Sequence, residues 1–293
     1  MFLQHSLLAL MLLVLANSLV LSPRSQSLEA GLPKTQPLLK RREQRRKAEI
    51  VGGAIGKGSE EFCTSTQVLR LIKDLEWMHE LAASASEFLL QPNSHTSAAY
   101  IAWFGESYAS QRWATEMRTD VYKSIWNMGN RVVINVASVE HGTYDGIVFG
   151  CFPPDPKDCK SDTFAVSVDN RYSYVMVCPE YFKVSTNYEE AFLAWRDKRK
   201  NMDVGGHILL HEMLHQRIVV GNDWYASDYK YTPEQCLKLP DWKKRRNAEN
   251  FALFALEVKA NPERAKLQVD MKSSKAKSEI ALGLLGHSNT EGS

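Results

Sequence analysis

Gly206-His207-Ile208-Leu209-Leu210-His211-Glu212-Met213-Leu214-His215 sets two histidines four positions apart in an otherwise apolar run. On a helix, residues i and i+4 share a face, so His211 and His215 can aim ring nitrogens at one Zn²⁺. Glu212, one position on, then stands as a general base beside the metal. Zinc takes nitrogen, sulfur or carboxylate donors in a tetrahedral shell, and a catalytic site leaves one position to water, whose pKa falls to about 7. HExxH alone is a weak signal, and the competing reading is a helix whose histidines are merely satisfied in a core. The surrounding Ile208, Leu209, Leu210, Met213 and Leu214 count against that reading, because ionisable groups on so apolar a helix are costly unless paired or metal-bound. The segment therefore points to a zinc-dependent hydrolase acting on peptide bonds.

A third protein ligand is required. The metzincin spacing asks for Gly three and His six residues after the second ligand, but Ile218 and Gly221 stand there, which excludes that class. A gluzincin-like site would use Glu249 or Glu257 from a later helix. An aspartate after the metal helix is the other option, with Asp223 and Asp228 as candidates. His207 reads as a core or supporting histidine, because a third imidazole on one straight helix lies too far along to close the tetrahedron.

Asp228-Tyr229-Lys230-Tyr231 resembles the DxxY core of the aspzincins, the family of deuterolysin and the fungal peptidyl-Lys metalloendopeptidases. Phe62-Cys63, Ala102-Trp103-Phe104-Gly105, Val177-Cys178-Pro179 and Asn247-Ala248-Glu249-Asn250-Phe251 recur in similar order in family members, so the resemblance spans residues 60–258. It implies an α+β, zincin-like metalloprotease, mainly helical, with a small twisted sheet and an HExxH active-site helix. It implies one Zn²⁺ per chain held by His211, His215 and Asp228, with Glu212 as base and Tyr231 as oxyanion partner. It also implies the disulfides Cys63–Cys151 and Cys159–Cys178; Cys178–Cys236 is the competing pairing, and otherwise Cys236 stays unpaired. The family's Gly-Thr before the aspartate is missing here, its closing Gly is Thr232, and the gap from His215 to Asp228 is long, so the loop carries an insertion. Asp223 lies at a more usual gap but lacks the tyrosine three residues later. In lysine-specific relatives two acids line the pocket after the cut bond; here the first is Glu249, as a substrate-binding residue, and the second is Ala252, which argues against strict lysine specificity. The same altered loop keeps open a catalytically weak secreted effector or binding protein on this scaffold.

The apolar run over residues 6–21, with Ala16-Asn17-Ser18 after it begins to fade, reads as a signal peptide spanning 1–21, although its leading segment carries only His5. It is short for a spanning helix of about 20 apolar residues. Residues 22–47 end in Lys40-Arg41-Arg42-Glu43-Gln44-Arg45-Arg46-Lys47, which reads as a propeptide with a basic processing site. The catalytic domain is then 48–264, and residues 265–293, rich in Lys, Ser and Gly, read as a flexible tail. The 293-residue chain carries a formal charge of +2, concentrated in that basic run, so no nucleic-acid partner is implied. The expected partners are extracellular protein or peptide substrates, and the expected state is a secreted monomer with no membrane anchor. Five cysteines without CxxC spacing suit disulfides better than a structural zinc.

Apolar periodicity predicts two long helices, over 64–90 and 98–128, whose aromatics are core. Val132-Val133-Ile134, Ile147-Val148-Phe149, Phe164-Ala165-Val166 and Tyr174-Val175-Met176-Val177 read as short strands around a Pro153-Pro154-Asp155-Pro156 loop. The metal helix is expected over about 203–219 and a last helix over Arg245 to Lys259.

Overall fold

A capping box starts the first helix, α1 (Ser65–Leu90): Thr64 Oγ1 accepts from the Gln67 amide while Gln67 Oε1 accepts from the Thr64 amide. One stripe of α1, from Val68 through Leu71, Leu75, Met78, Leu81 and Ala85 to Leu89, is buried, and Pro92 lies just past its end, where the helix cannot continue. The computed structural model describes residues 48–51, 63–128, 133–135, 146–152, 157, 159–160, 162–169 and 173–269. The expected signal segment and propeptide, the Pro153–Pro156 loop and residues 270–293 lie outside them. The described residues belong to one unit, Gln44–Ser293.

The second expected helix is broken. α2 (Ala98–Phe104) stops at Gly105, whose φ of +83° favours glycine, and whose hydrogen faces the Asp241 carboxylate where a Cβ would collide. The chain resumes over Gln111–Glu116, a π turn at Met117–Tyr122 and Lys123–Trp126. Of the aromatics in this stretch, Tyr100, Trp103, Phe104 and Tyr122 are buried as expected, whereas Tyr108 and Trp113 are half-buried and Trp126 is exposed.

Five strands form one sheet in the order β2-β1-β3-β5-β4: β1 (Ala48–Val51), β2 (Val133–Asn135), β3 (Ile147–Cys151), β4 (Ala165–Asp169) and β5 (Ser173–Val177). All pairings are parallel except β4 with β5, so an antiparallel strand stands at one edge. β3 is buried throughout, as its unbroken apolar run requires of an inner parallel strand. β1 was not legible as a strand, because it follows directly on the basic run.

α3 (Tyr188–Lys198), α4 (Gly205–Met213) and α5 (Ala248–Ala260) complete the frame. The mixed α+β class with a small sheet is as expected. α4 is shorter than the 203–219 anticipated; the backbone turns at Leu214–His215 and restarts as Arg217–Val220. The first residues of the expected tail pack on the domain: Leu267 and Val269 hydrogen-bond to Ala98 and Thr96 and Val269 is buried. No helix among the described residues is long and apolar enough to cross a membrane.

α4 lies against α1 at very short range. A Cβ on Gly205 would stand 2.0 Å from Asp74 Oδ2, and one on Gly206 would stand 2.6 Å from Trp77 Cβ. Asp74 is fully buried and bound by Arg70 at 2.7 Å, by the Tyr181 hydroxyl at 2.6 Å and by the Tyr188 hydroxyl. That network has no room to retreat. Gly205→Ala is expected to lower stability by about 2 kcal/mol, read as a fall in the urea midpoint; an unchanged midpoint would show that α4 can move away from α1.

Candidate metal centre

Because α4 ends at Met213, His211 sits in its last turn and His215 just beyond it, yet both rings turn inward. Their Nε2 atoms are 3.2 Å apart. Asp228 Oδ1 lies 2.9 Å from Nε2 of His211 and 3.1 Å from Nε2 of His215. Two donors of a tetrahedral zinc stand about 3.3 Å apart, so these three atoms fit one ion. Among the described residues this trio is the group of His, Cys, Asp and Glu side chains that can hold a metal.

Tautomers support the same reading. His211 Nδ1 lies 2.9 Å from Glu249 Oε2, and His215 Nδ1 lies 3.0 Å from the Ala226 carbonyl. A carboxylate and a carbonyl only accept, so both Nδ1 atoms carry the proton, and in the neutral rings both Nε2 atoms present lone pairs to the centre. Two lone pairs at 3.2 Å repel unless a cation lies between them. Without a metal that cation is a proton: burial works to lower the His211 pKa, but hydrogen bonds to Asp228 and Glu249 lift it to about 10. Burial likewise works to raise the Asp228 carboxyl, and the two histidines outweigh it, holding it well below the usual range.

The insertion that precedes Asp228 is pinned rather than loose. Trp224 is buried, and Arg245 lies over its ring at 5.0 Å. Arg217 bridges from the insertion to Asp169 at the end of β4 and stacks 3.8 Å over Tyr225. Asn247 then holds the loop itself, accepting from the amides of Tyr229 and Lys230 and donating to the Lys230 carbonyl. Asn250 accepts from Asn247 and donates to the Trp103 carbonyl, which explains physically why Asn247 and Asn250 accompany the loop.

Each expected site residue can now be placed. Glu212 is buried and lines a cleft of about 1100 Å³ shared with His211, His215, Asp228 and Tyr231. Tyr231 stacks on the His211 ring at 5.8 Å and lines the same cleft. Burial and the Asp228 charge push its pKa up, so it remains a proton donor. Asp223 is exposed in a turn and outside the cluster. His207 is not a ligand; its Nε2 lies 2.8 Å from Glu249 Oε1.

Glu249, expected as a substrate-binding residue, lines the cleft and is buried, with one oxygen on His207 and the other on His211. Burial works to raise its pKa and the two histidines outweigh it, so it stays an anion. Neither glutamate of the gluzincin-like alternative belongs to the trio of His211, His215 and Asp228. Glu249 meets the outward nitrogen of His211, and Glu257 is paired with Trp195 Nε1 and Arg199, outside the cluster. The residue that sequence reasoning missed is Ser167 on β4, whose Oγ lies 2.5 Å from Glu212 Oε2. A lone serine in a strand carries no spacing signal.

Both disulfides implied by the resemblance are formed, Cys63–Cys151 and Cys159–Cys178, and Cys236 is free and buried. A family model described as lysine-specific metallo-endopeptidase, of the aspzincins, matches residues 89–256, more than half the chain. Among solved structures the chain is similar to a zinc peptidase from Grifola frondosa, at 20% identity and a TM-score of 0.45, over 69% of this chain and 99% of that one. No curated protein matches. Elemental analysis separates the two loop aspartates: Asp228→Ala is expected to lose stoichiometric zinc while Asp223→Ala keeps it, and the reverse pattern would move the third ligand to Asp223.

Proposed function

For a chain that belongs to the aspzincin family of zinc metalloendopeptidases, we propose that His211, His215 and Asp228 hold one Zn²⁺ and that Glu212 is the general base of peptide-bond hydrolysis. The observation that carries this is the convergence of two fixed Nε2 atoms and one carboxylate oxygen at the floor of an open cleft. Zinc bound there would act as a Lewis acid and bring the pKa of water to about 7.

The protein's own groups do the rest. Glu212 takes a proton from the attacking water and returns it to the leaving amine. Its Oε2 is occupied by Ser167, so Oε1 is the oxygen that transfers the proton. Tyr231, kept protonated, offers its hydroxyl to the oxygen that gains charge. β4 is an edge strand lining the cleft, so an extended substrate can add to it by backbone pairing. The HExxH segment thereby serves as a zincin-like active-site helix.

A preference for basic residues near the cut is part of this reading, but it does not rest on Glu249 alone. Exposed Asp162, Asp203 and Glu234 line the cleft with one exposed lysine, Lys200, so its wall attracts cations. Secretion is supported by the apolar N-terminal run and by two disulfides, which belong to an oxidising compartment.

Propeptide removal is constrained by β1. Ala48, Glu49 and Ile50 are buried between β2 and β3, and proteases cut exposed chain. Processing of the folded protein therefore falls upstream of Lys47, within the basic run. N-terminal sequencing of secreted protein is expected to begin before residue 48; a mature end at Ala48 would mean that cutting precedes folding.

Casein and peptides varied around the cut bond test the mechanism. Glu212→Gln is expected to keep zinc and lose activity by at least about 1000-fold, well beyond the 10²–10⁴ range's lower end for general acid–base catalysis. Peptides with Lys or Arg beside the cut are expected to be cleaved fastest. Full activity in Glu212→Gln would remove the base assignment, and indifference to charge would remove the preference.

A further inference from the structure

We propose that Ser167 is a positioning residue for the general base, its hydroxyl holding the Glu212 carboxylate from the edge strand so that one chosen oxygen is left for proton transfer. The inference rests on the reading of Glu212 as base. Ser167 is the middle residue of β4, paired with Val175 of β5. Its Oγ lies 2.5 Å from Glu212 Oε2 and 3.2 Å from the Glu212 backbone carbonyl. A serine hydroxyl has one proton to give. The nearer and charged acceptor takes it, at a distance typical of a charge-assisted O–H···O⁻ bond.

Glu212 needs such a partner. It occupies the last turn of α4, and Ser167 is the side chain that hydrogen-bonds its carboxylate among the described residues. A glutamate carboxylate without an anchor samples several rotamers, whereas proton transfer needs it within hydrogen-bond reach of the proton it takes. The contact also joins two elements that must agree in depth. β4 carries the free backbone edge along the cleft, and α4 carries the base and a metal-binding histidine. One hydroxyl therefore ties the base to the strand along which an extended peptide would lie.

The test compares kcat, KM and zinc content for wild type, Ser167→Ala, Ser167→Thr and Glu212→Gln. Loss of the hydroxyl is expected to lower kcat by about 10- to 100-fold, the scale of a misplacement near 1 Å, with KM and zinc content unchanged. Threonine, which keeps the hydroxyl and suits a strand, is expected to recover most of kcat. Wild-type kcat in Ser167→Ala, or a loss confined to KM, would overturn the proposal. So would a threonine variant as slow as the alanine one, since the loss would then come from packing. If Glu212→Gln is inactive in those cases, the base assignment stands and the positioning role alone fails; an active Glu212→Gln overturns both.

Discussion

Each histidine of the candidate metal centre is held by the ring nitrogen that faces away from the trio, and the rest of the centre depends on that. The Ala226 carbonyl fixes one ring and the Glu249 carboxylate fixes the other. A backbone carbonyl and a buried anion make different demands on the fold. Ala226 must be delivered by the loop, which is why the insertion is anchored through Trp224 and its Ala226 amide bonds the Leu214 carbonyl. Glu249 must be kept charged in a buried place, which His207 accomplishes from the opposite side. His207 thus acts on the centre without touching it.

The scaffold serves this arrangement by close approach rather than bulk. Gly205 and Gly206 let α4 press onto α1 around Asp74, and α5 brings Glu249 and Asn247 to opposite sides of the loop. Three helices distant in sequence thereby fix a few ring orientations. Preorganisation of this kind keeps reorganisation small when charge develops in the transition state.

That His211 and His215 turn toward one point was legible because helical spacing converts sequence distance into direction. That Asp228 and Tyr231 come beside them was legible only through the family's loop pattern, since an aspartate in a polar loop has no geometry of its own. The burial of Glu249 was not legible, because the packing of a carboxylate depends on partners from another helix, which local composition does not reveal. Gly105 interrupts an apolar periodicity that otherwise continues, so two helices read as one. The inner strands were visible as apolar runs, while β1 was hidden by the charged residues before it.

β1 has one more consequence. The first described strand lies inside the sheet, flanked by β2 and β3, and both follow the whole α1–α2 region in the chain. Its edges therefore stay unsatisfied until about half of the polypeptide has emerged, and non-local parallel pairing is slow to form. During biosynthesis this strand waits as exposed apolar backbone, a hazard for aggregation. The charged run immediately before it then gains a use unrelated to catalysis, as a gatekeeper that keeps the waiting strand from pairing with other nascent chains.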